Sequence, residues 1–239
     1  MKALILAAGK GSRISKSIGN MPKSMVKLSN GETVIRRTVR MFLNRGIKPV
    51  VCVGYCKELI YRELDGLDVE YYENPFYDIT NNIVSMWFAK EAVKNEDIIF
   101  LSADIYFPDS FIDLLINNHS KICMLVDKSR LMDGDFYFNI NDENEIMEYG
   151  PKVSYDKRCF EYVGLSKITL DETDNIYNEI NQCIDCGEHQ IYFEDMLIRY
   201  VKKKKANIDF IDVKEEFWRE FDFYEDYIKI LEFEKGVKS

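Results

Sequence analysis

Histidine is nearly missing from this chain. Only His119 and His189 occur among 239 residues, which leaves the six cysteines (52, 56, 123, 159, 183 and 186) without the partners of a zinc site. Cys183 and Cys186 form a C-x-x-C, but there is no second pair and no thioredoxin-like start, so a metal or redox role is not supported. A chain of this size has no need of disulfide staples, and the thiols are read as structural or incidental in a reducing cytosol. No apolar run approaches the roughly 18 residues of a membrane span. The apolar stretch at the start is too short for a signal peptide, so a cytosolic protein is expected. Basic residues are in deficit: 32 Lys and Arg stand against 41 Asp and Glu, a net charge of −9. That balance excludes non-specific binding to nucleic acid and adhesion to anionic membranes, both of which need a basic surface. Linkers, repeats and composition breaks are absent too, which predicts one domain over residues 1–239.

The apolar pattern supplies the architecture. Residues 2–7, 50–53, 69–72, 98–101 and 122–126 read as buried strands. Between them, residues 34–43, 57–64, 82–93 and 111–115 carry helical spacing, with Gly46 and Gly66 as stop signals and Pro108 as a start signal. Regular alternation through residue 126 predicts an α/β fold: a mostly parallel mixed sheet flanked by helices. Beyond it the character changes to a hairpin over 136–149 and a strand over 160–168. Helices over 174–183 and 193–204, a strand over 208–213 and a terminal helix over 222–234 complete the chain. Lys202 to Lys205 read as a solvated helix end.

Ala7-Ala8-Gly9-Lys10-Gly11-Ser12-Arg13 follows the first strand, where an open parallel sheet binds ligands. It is neither a P-loop, since Leu4 and Gly11 stand where Gly and Ser or Thr belong, nor a dinucleotide fingerprint, whose third glycine falls on Ile14. Its charge separates it from an ordinary flexible loop. Residues 1–31 hold six basic side chains (2, 10, 13, 16, 23 and 27) and no acid, leaving 26 of the 32 basic side chains against all 41 acids in the rest. A basic glycine loop in an acidic chain suits a triphosphate, held by backbone N–H groups and by Arg and Lys.

Leu6 to Arg13, followed by Pro22-Lys23, resembles the L-A-A-G-x-G-[ST]-R and later P-K of nucleotidyltransferases that activate phosphorylated small molecules. The resemblance continues through Asn81 to Ser85, Ser102-Ala103-Asp104 and Glu220-Phe221-Asp222, and so spans nearly the whole chain. It is nearest to the small bacterial phosphocholine-type cytidylyltransferases. Ala103-Asp104 replaces the Gly-Asp of sugar-nucleotide relatives, the loop lacks their Leu and Thr before P-K, and no Gln-Pro pair follows. These departures favour the cytidylyl branch without fixing the base.

The resemblance implies a GT-A-like, Rossmannoid nucleotidyltransferase fold with a nucleotide-binding half (1–126) and an acceptor-binding half (127–239) that includes a small β-rich part. It implies transfer of CMP from CTP to a small phosphorylated acceptor, with loss of pyrophosphate. Leu6, Ala7, Ala8, Gly9, Gly11, Ser12, Asn82 and Ser85 are then nucleotide-binding, and Arg13 and Lys23 catalytic. Asp104 and Asp222 are the ligands of Mg²⁺, a hard cation that takes a few carboxylates, phosphates and water. Tyr192, Glu194 and Glu220 are placed at the acceptor, where an aromatic ring and a carboxylate can hold an ammonium group. Plainer readings stand beside these. Asn81 or Asn82 can cap a helix, as can Asp222, and Asp104 is badly spaced to do so. Tyr192 and Phe193 can belong to a core stripe. A sugar-1-phosphate nucleotidyltransferase using UTP, dTTP or GTP, and a nucleotide-binding module without catalysis, remain open alternatives.

Overall fold

The structure is a computed structural model that describes residues 1–11, 17–132 and 134–236. Its strands and helices alternate as β1 (Lys2–Ala7), α1 (Val34–Leu43), β2 (Lys48–Val53), α2 (Lys57–Glu63), β3 (Glu70–Glu73), α3 (Asn82–Phe88), α4 (Lys90–Val93) and β4 (Ile98–Ser102). They continue with β5 (Ile105–Tyr106), α5 (Ser110–Asn117), β6 (Ile122–Asp127), the hairpin β7 (Tyr137–Ile140) and β8 (Ile146–Gly150), and β9 (Phe160–Ile168). The last part is α6 (Leu170–Asp185), α7 (Phe193–Lys204), β10 (Asp209–Asp212), β11 (Arg219–Glu220) and α8 (Tyr224–Glu234).

The main sheet runs β10-β6-β9-β4-β1-β2-β3, and the β7–β8 hairpin attaches to the start of β9. β4, β1, β2 and β3 are parallel, as are β6 and β10, while β9 lies antiparallel between β4 and β6. Side chains alternate between faces, and both faces are buried, which explains why these strands read as unbroken apolar runs. Leu4, Val50, Cys52, Phe100 and Met124 pack under α3, α6 and α7. Ala3, Ile5, Val51, Leu101 and Leu125 pack under α1, α2 and α5. Among the described residues, no helix is long and apolar enough to cross a membrane.

Three local differences from the sequence pattern stand out. The helix over 82–93 divides at Ala89, whose backbone leaves helical geometry (φ −87°, ψ 4°). The helix of 174–183 starts earlier, at Leu170, where Asp171 and Glu172 favour a first turn through the helix dipole. The two-residue strands β5 and β11 pair with each other outside the main sheet.

Candidate active site

β1 has β2 on one side and β4 on the other, so the chain order reverses across it and opens a crevice beyond the carboxyl ends of the strands. A cavity of about 750 Å³ fills that crevice. Leu6, Ala7, Ala8, Gly9 and Gly11 line it from β1 and the following loop, and Asn82 and Ser85 from α3. Lys23, Asp104 and Asp222 line it together with Glu220 beside them, and Tyr192 and Glu194 line it from the start of α7. The remaining two sequence-derived site residues, Ser12 and Arg13, lie outside the described residues.

The β5–β11 ladder explains how the central carboxylates meet. Asp104 directly precedes β5 and Asp222 closely follows β11. The pairing of Ile105 with Glu220, and the bond from Phe221 N–H to the Asp104 carbonyl (2.9 Å), bring the two ends together. Asp226 secures the second end by accepting hydrogen bonds from the backbone N–H groups of Asp222 (3.2 Å) and Phe223 (2.8 Å). The N-cap of α8 is therefore Phe223 rather than Asp222, whose carboxylate is left to the cavity.

Lys23 joins the carboxylates. Its Nζ lies 3.1 Å from Asp104 Oδ2 and donates a short hydrogen bond to Asp222 Oδ1. Burial pulls the Lys23 ammonium down, but Asp104, Asp222 and Glu220 outweigh it and hold the group above its ordinary value, so it is charged. Glu220 is pushed far up, first by burial and then by Asp104 and Asp222, with Lys23 opposing. Gly11 makes room for this lysine: it holds a φ of +60°, and a Cβ there would collide with the Lys23 stem.

Lys23 is the only Lys or Arg among the described residues that line the cavity, against seven carboxylate side chains. Two other described basic residues of this segment have partners elsewhere. Lys2 pairs with Glu70 at 3.2 Å, and Lys10 lies 5.7 Å over the Tyr55 ring. A cavity so rich in acid does not suit a polyanion without a further cation. Asp104 and Asp222 already converge on one cation, the Lys23 ammonium, and hard oxygen donors of this kind fit Mg²⁺.

Asn74 is a site residue that the sequence pattern shows only as the end of a strand. It is fully buried, and its amide donates to Ser85 Oγ (3.0 Å) and Thr80 Oγ1 (3.2 Å) while its Oδ1 accepts from Phe76 N–H (3.0 Å). With Ser85 Oγ accepting from Asn74, the serine proton is available to an acceptor in the cavity. Phe193 is core, its ring centroid 4.2 Å from that of Phe100, whereas Tyr192 is 55% exposed at the rim. The core-stripe reading thus holds for one residue of the pair and not for the other.

Glu161, on β9, is a second residue the pattern passes over. It lines the cavity, is almost wholly buried, and its Oε2 lies 3.3 Å from Arg130 Nε without accepting a hydrogen bond. Burial pushes its carboxyl from 4.5 to about 7, with Arg130 and the Asp135 backbone pulling it back and the charge of Asp127 adding to the rise. The folded state then holds this proton more tightly than the unfolded chain, so stability is lost as pH rises from 4.5 towards 7. At about 1.4 kcal/mol per unit, the loss amounts to no more than about 3.5 kcal/mol. Urea unfolding at pH 5 and pH 8 should show a smaller drop for Glu161→Gln than for the unaltered protein. Equal drops would contradict this origin.

A mostly parallel sheet with a glycine loop, a half-buried lysine and two converging carboxylates at its switch point is the arrangement of a nucleotidyltransferase. Residues 3–167 match the MobA-like NTP transferase domain, and the chain belongs to that family, as its motifs imply. It is 27% identical to the CTP:phosphoglutamine cytidylyltransferase of Campylobacter jejuni, over 95% of this chain and 97% of that one. It is 24% identical to the choline-phosphate cytidylyltransferase of Streptococcus pneumoniae, over 99% of both chains. The solved CTP:phosphocholine cytidylyltransferase of Streptococcus pneumoniae superposes with a TM-score of 0.76 at 21% identity, covering 97% of this chain and 98% of its own. The inositol-1-phosphate CTP transferase of T. maritima gives a TM-score of 0.75 at 21% identity, covering 100% and 98%.

Proposed function

We propose that this chain transfers CMP from CTP to a small phosphorylated amine or zwitterion and releases pyrophosphate. The observation that carries this reading is the cavity in which Lys23, Asp104 and Asp222 meet, lined also by the β1 loop and by acidic and aromatic side chains. A phosphate oxygen of the acceptor attacks the α-phosphorus of CTP in line. A new P–O bond forms, the bond to the β-phosphate breaks, and the electron pair leaves with pyrophosphate. The acceptor phosphate is itself the nucleophile, so the protein's task is to neutralise charge and fix geometry. Backbone N–H groups of the Ala8–Gly11 loop hold the triphosphate, and Arg13 forks onto the departing β- and γ-phosphates. Lys23 bridges the α-phosphate and the acceptor phosphate, and Ser85, oriented by Asn74, donates to the base edge. Asp104 and Asp222 hold Mg²⁺, which supplies positive charge at the phosphoryl oxygens when bound.

The excess of acidic side chains in the cavity lining supports a cationic acceptor, with Tyr192, Glu194 and Glu220 as the groups that hold its ammonium. A panel of acceptors with CTP tests this: phosphocholine, phosphoethanolamine, 2-aminoethylphosphonate and phosphoglutamine against glucose 1-phosphate and inositol 1-phosphate. The amine-bearing compounds should give kcat/KM values at least about tenfold above those of the two neutral polyols, a difference of about 1.4 kcal/mol in transition-state binding. A preference for the polyols would reverse the acceptor assignment.

A further inference from the structure

α3 and α7 meet at one side chain. Asn82 is the first residue of α3, capped by its neighbour Asn81, whose Oδ1 accepts from Asn82 N–H (2.9 Å). Capping therefore does not use the Asn82 side chain, which reaches across to α7 instead. Its Oδ1 accepts from the backbone N–H of Phe193 at 2.7 Å. Phe193 opens α7, where the first N–H groups have no partner inside the helix, and Tyr192 at the N-cap supplies no side-chain acceptor. Asn82 fills that role from another element. Glu194 follows Phe193 directly, and the Asn82 side chain is among the groups that oppose the rise burial imposes on its carboxyl, after Glu194's own backbone. The amide oxygen is thus committed to the first turn of α7, one residue before Glu194.

The neighbouring bonds fasten the same two segments. Asn81 N–H donates to the His189 carbonyl (2.9 Å), Asn81 Nδ2 to the Gln190 carbonyl (3.2 Å), and Gln190 Nε2 to the Ile79 carbonyl. Ser85, one turn further along α3, lines the same cavity. One short helix thus carries a hydroxyl for the nucleotide and the anchor of an acceptor-side carboxylate.

We propose that Asn82 is a positioning residue for the acceptor rather than a reader of the base, acting by fixing Glu194 and the first turn of α7. This rests on the reading that Tyr192 and Glu194 hold the acceptor. Asn82→Asp keeps an oxygen for Phe193 N–H but sets a second carboxylate against Glu194. With phosphocholine as the probe acceptor, its KM should rise at least about tenfold, while the CTP dissociation constant measured without acceptor stays within about twofold. In a Glu194→Gln background the same change should cost less than about twofold, because the carboxylate that Asn82 positions is gone. A CTP dissociation constant that rises as far as the phosphocholine KM, or an equal cost in both backgrounds, would overturn the proposal.

A second readout needs no turnover. In Asn82→Ala, amide exchange over residues 190–196 should accelerate at least about tenfold in the substrate-free protein, since the first turn of α7 loses its acceptor. Unchanged exchange would overturn the link between the helices. Accelerated exchange in a protein that turns over no triphosphate would leave that link standing and sink the transferase reading alone.

Discussion

Lys23→Met should lower kcat by at least about 10³-fold while the protein stays folded. Loss of one preorganised donor at developing negative charge typically costs 10²–10³-fold. Here two anionic reactants meet, and Lys23 is the only cation among the described residues of the cavity lining. Its stem is threaded past Gly11, with no space for a Cβ at that position, and its ammonium is held between Asp104 and Asp222. Lys23→Arg should fail to restore the rate, because a planar guanidinium cannot occupy the place of a compact ammonium in so tight a passage. Steady-state kinetics with CTP and a phosphorylated amine would check both variants. A kcat within tenfold of the unaltered enzyme in Lys23→Met would remove this residue from the chemistry.

Asp104→Asn and Asp222→Asn should each abolish measurable turnover. Both changes preserve shape, so the β5–β11 ladder and the Asp226 bonds that build this corner remain. What is lost is the anionic donor, and with it the affinity for a hard divalent cation. Calorimetric titration with Mg²⁺ and CTP should show weakened metal binding in both variants, with thermal unfolding close to that of the parent protein. Near-normal activity in either variant would refute the metal assignment at that position. Equal loss of stability and activity would point to a structural ion pair with Lys23 instead, since breaking a buried pair is strongly destabilising.

Much of this was legible in the sequence because long elements carry a period. β1, β2, β4 and β6 read as unbroken apolar runs because both faces of the sheet are covered. The motif segments around Gly9, Lys23, Asp104 and Asp222 named residues that the fold brings into one cavity. The ladder that aligns the last two was not legible, since strands of two residues contain no period to detect. Nor were Asn74 and Glu161, whose importance comes from burial: an amide bonded to Ser85 and Thr80, and a carboxyl packed against Arg130. Asn82 shows a different limit. An Asn-Asn pair announces a helix start, but which amide caps its own helix and which reaches α7 depends on tertiary placement.

The central claim is that CTP and a phosphorylated amine are joined with loss of pyrophosphate. Phosphorus NMR of the purified protein with Mg²⁺, CTP and phosphocholine or phosphoglutamine tests it most directly, with UTP, dTTP and GTP in parallel. Equal amounts of pyrophosphate and a CMP–acceptor phosphoanhydride should accumulate, with CTP consumed only when an acceptor is present. CTP that binds but is never consumed, or faster reaction of UTP, dTTP or GTP with a sugar 1-phosphate, would contradict the account.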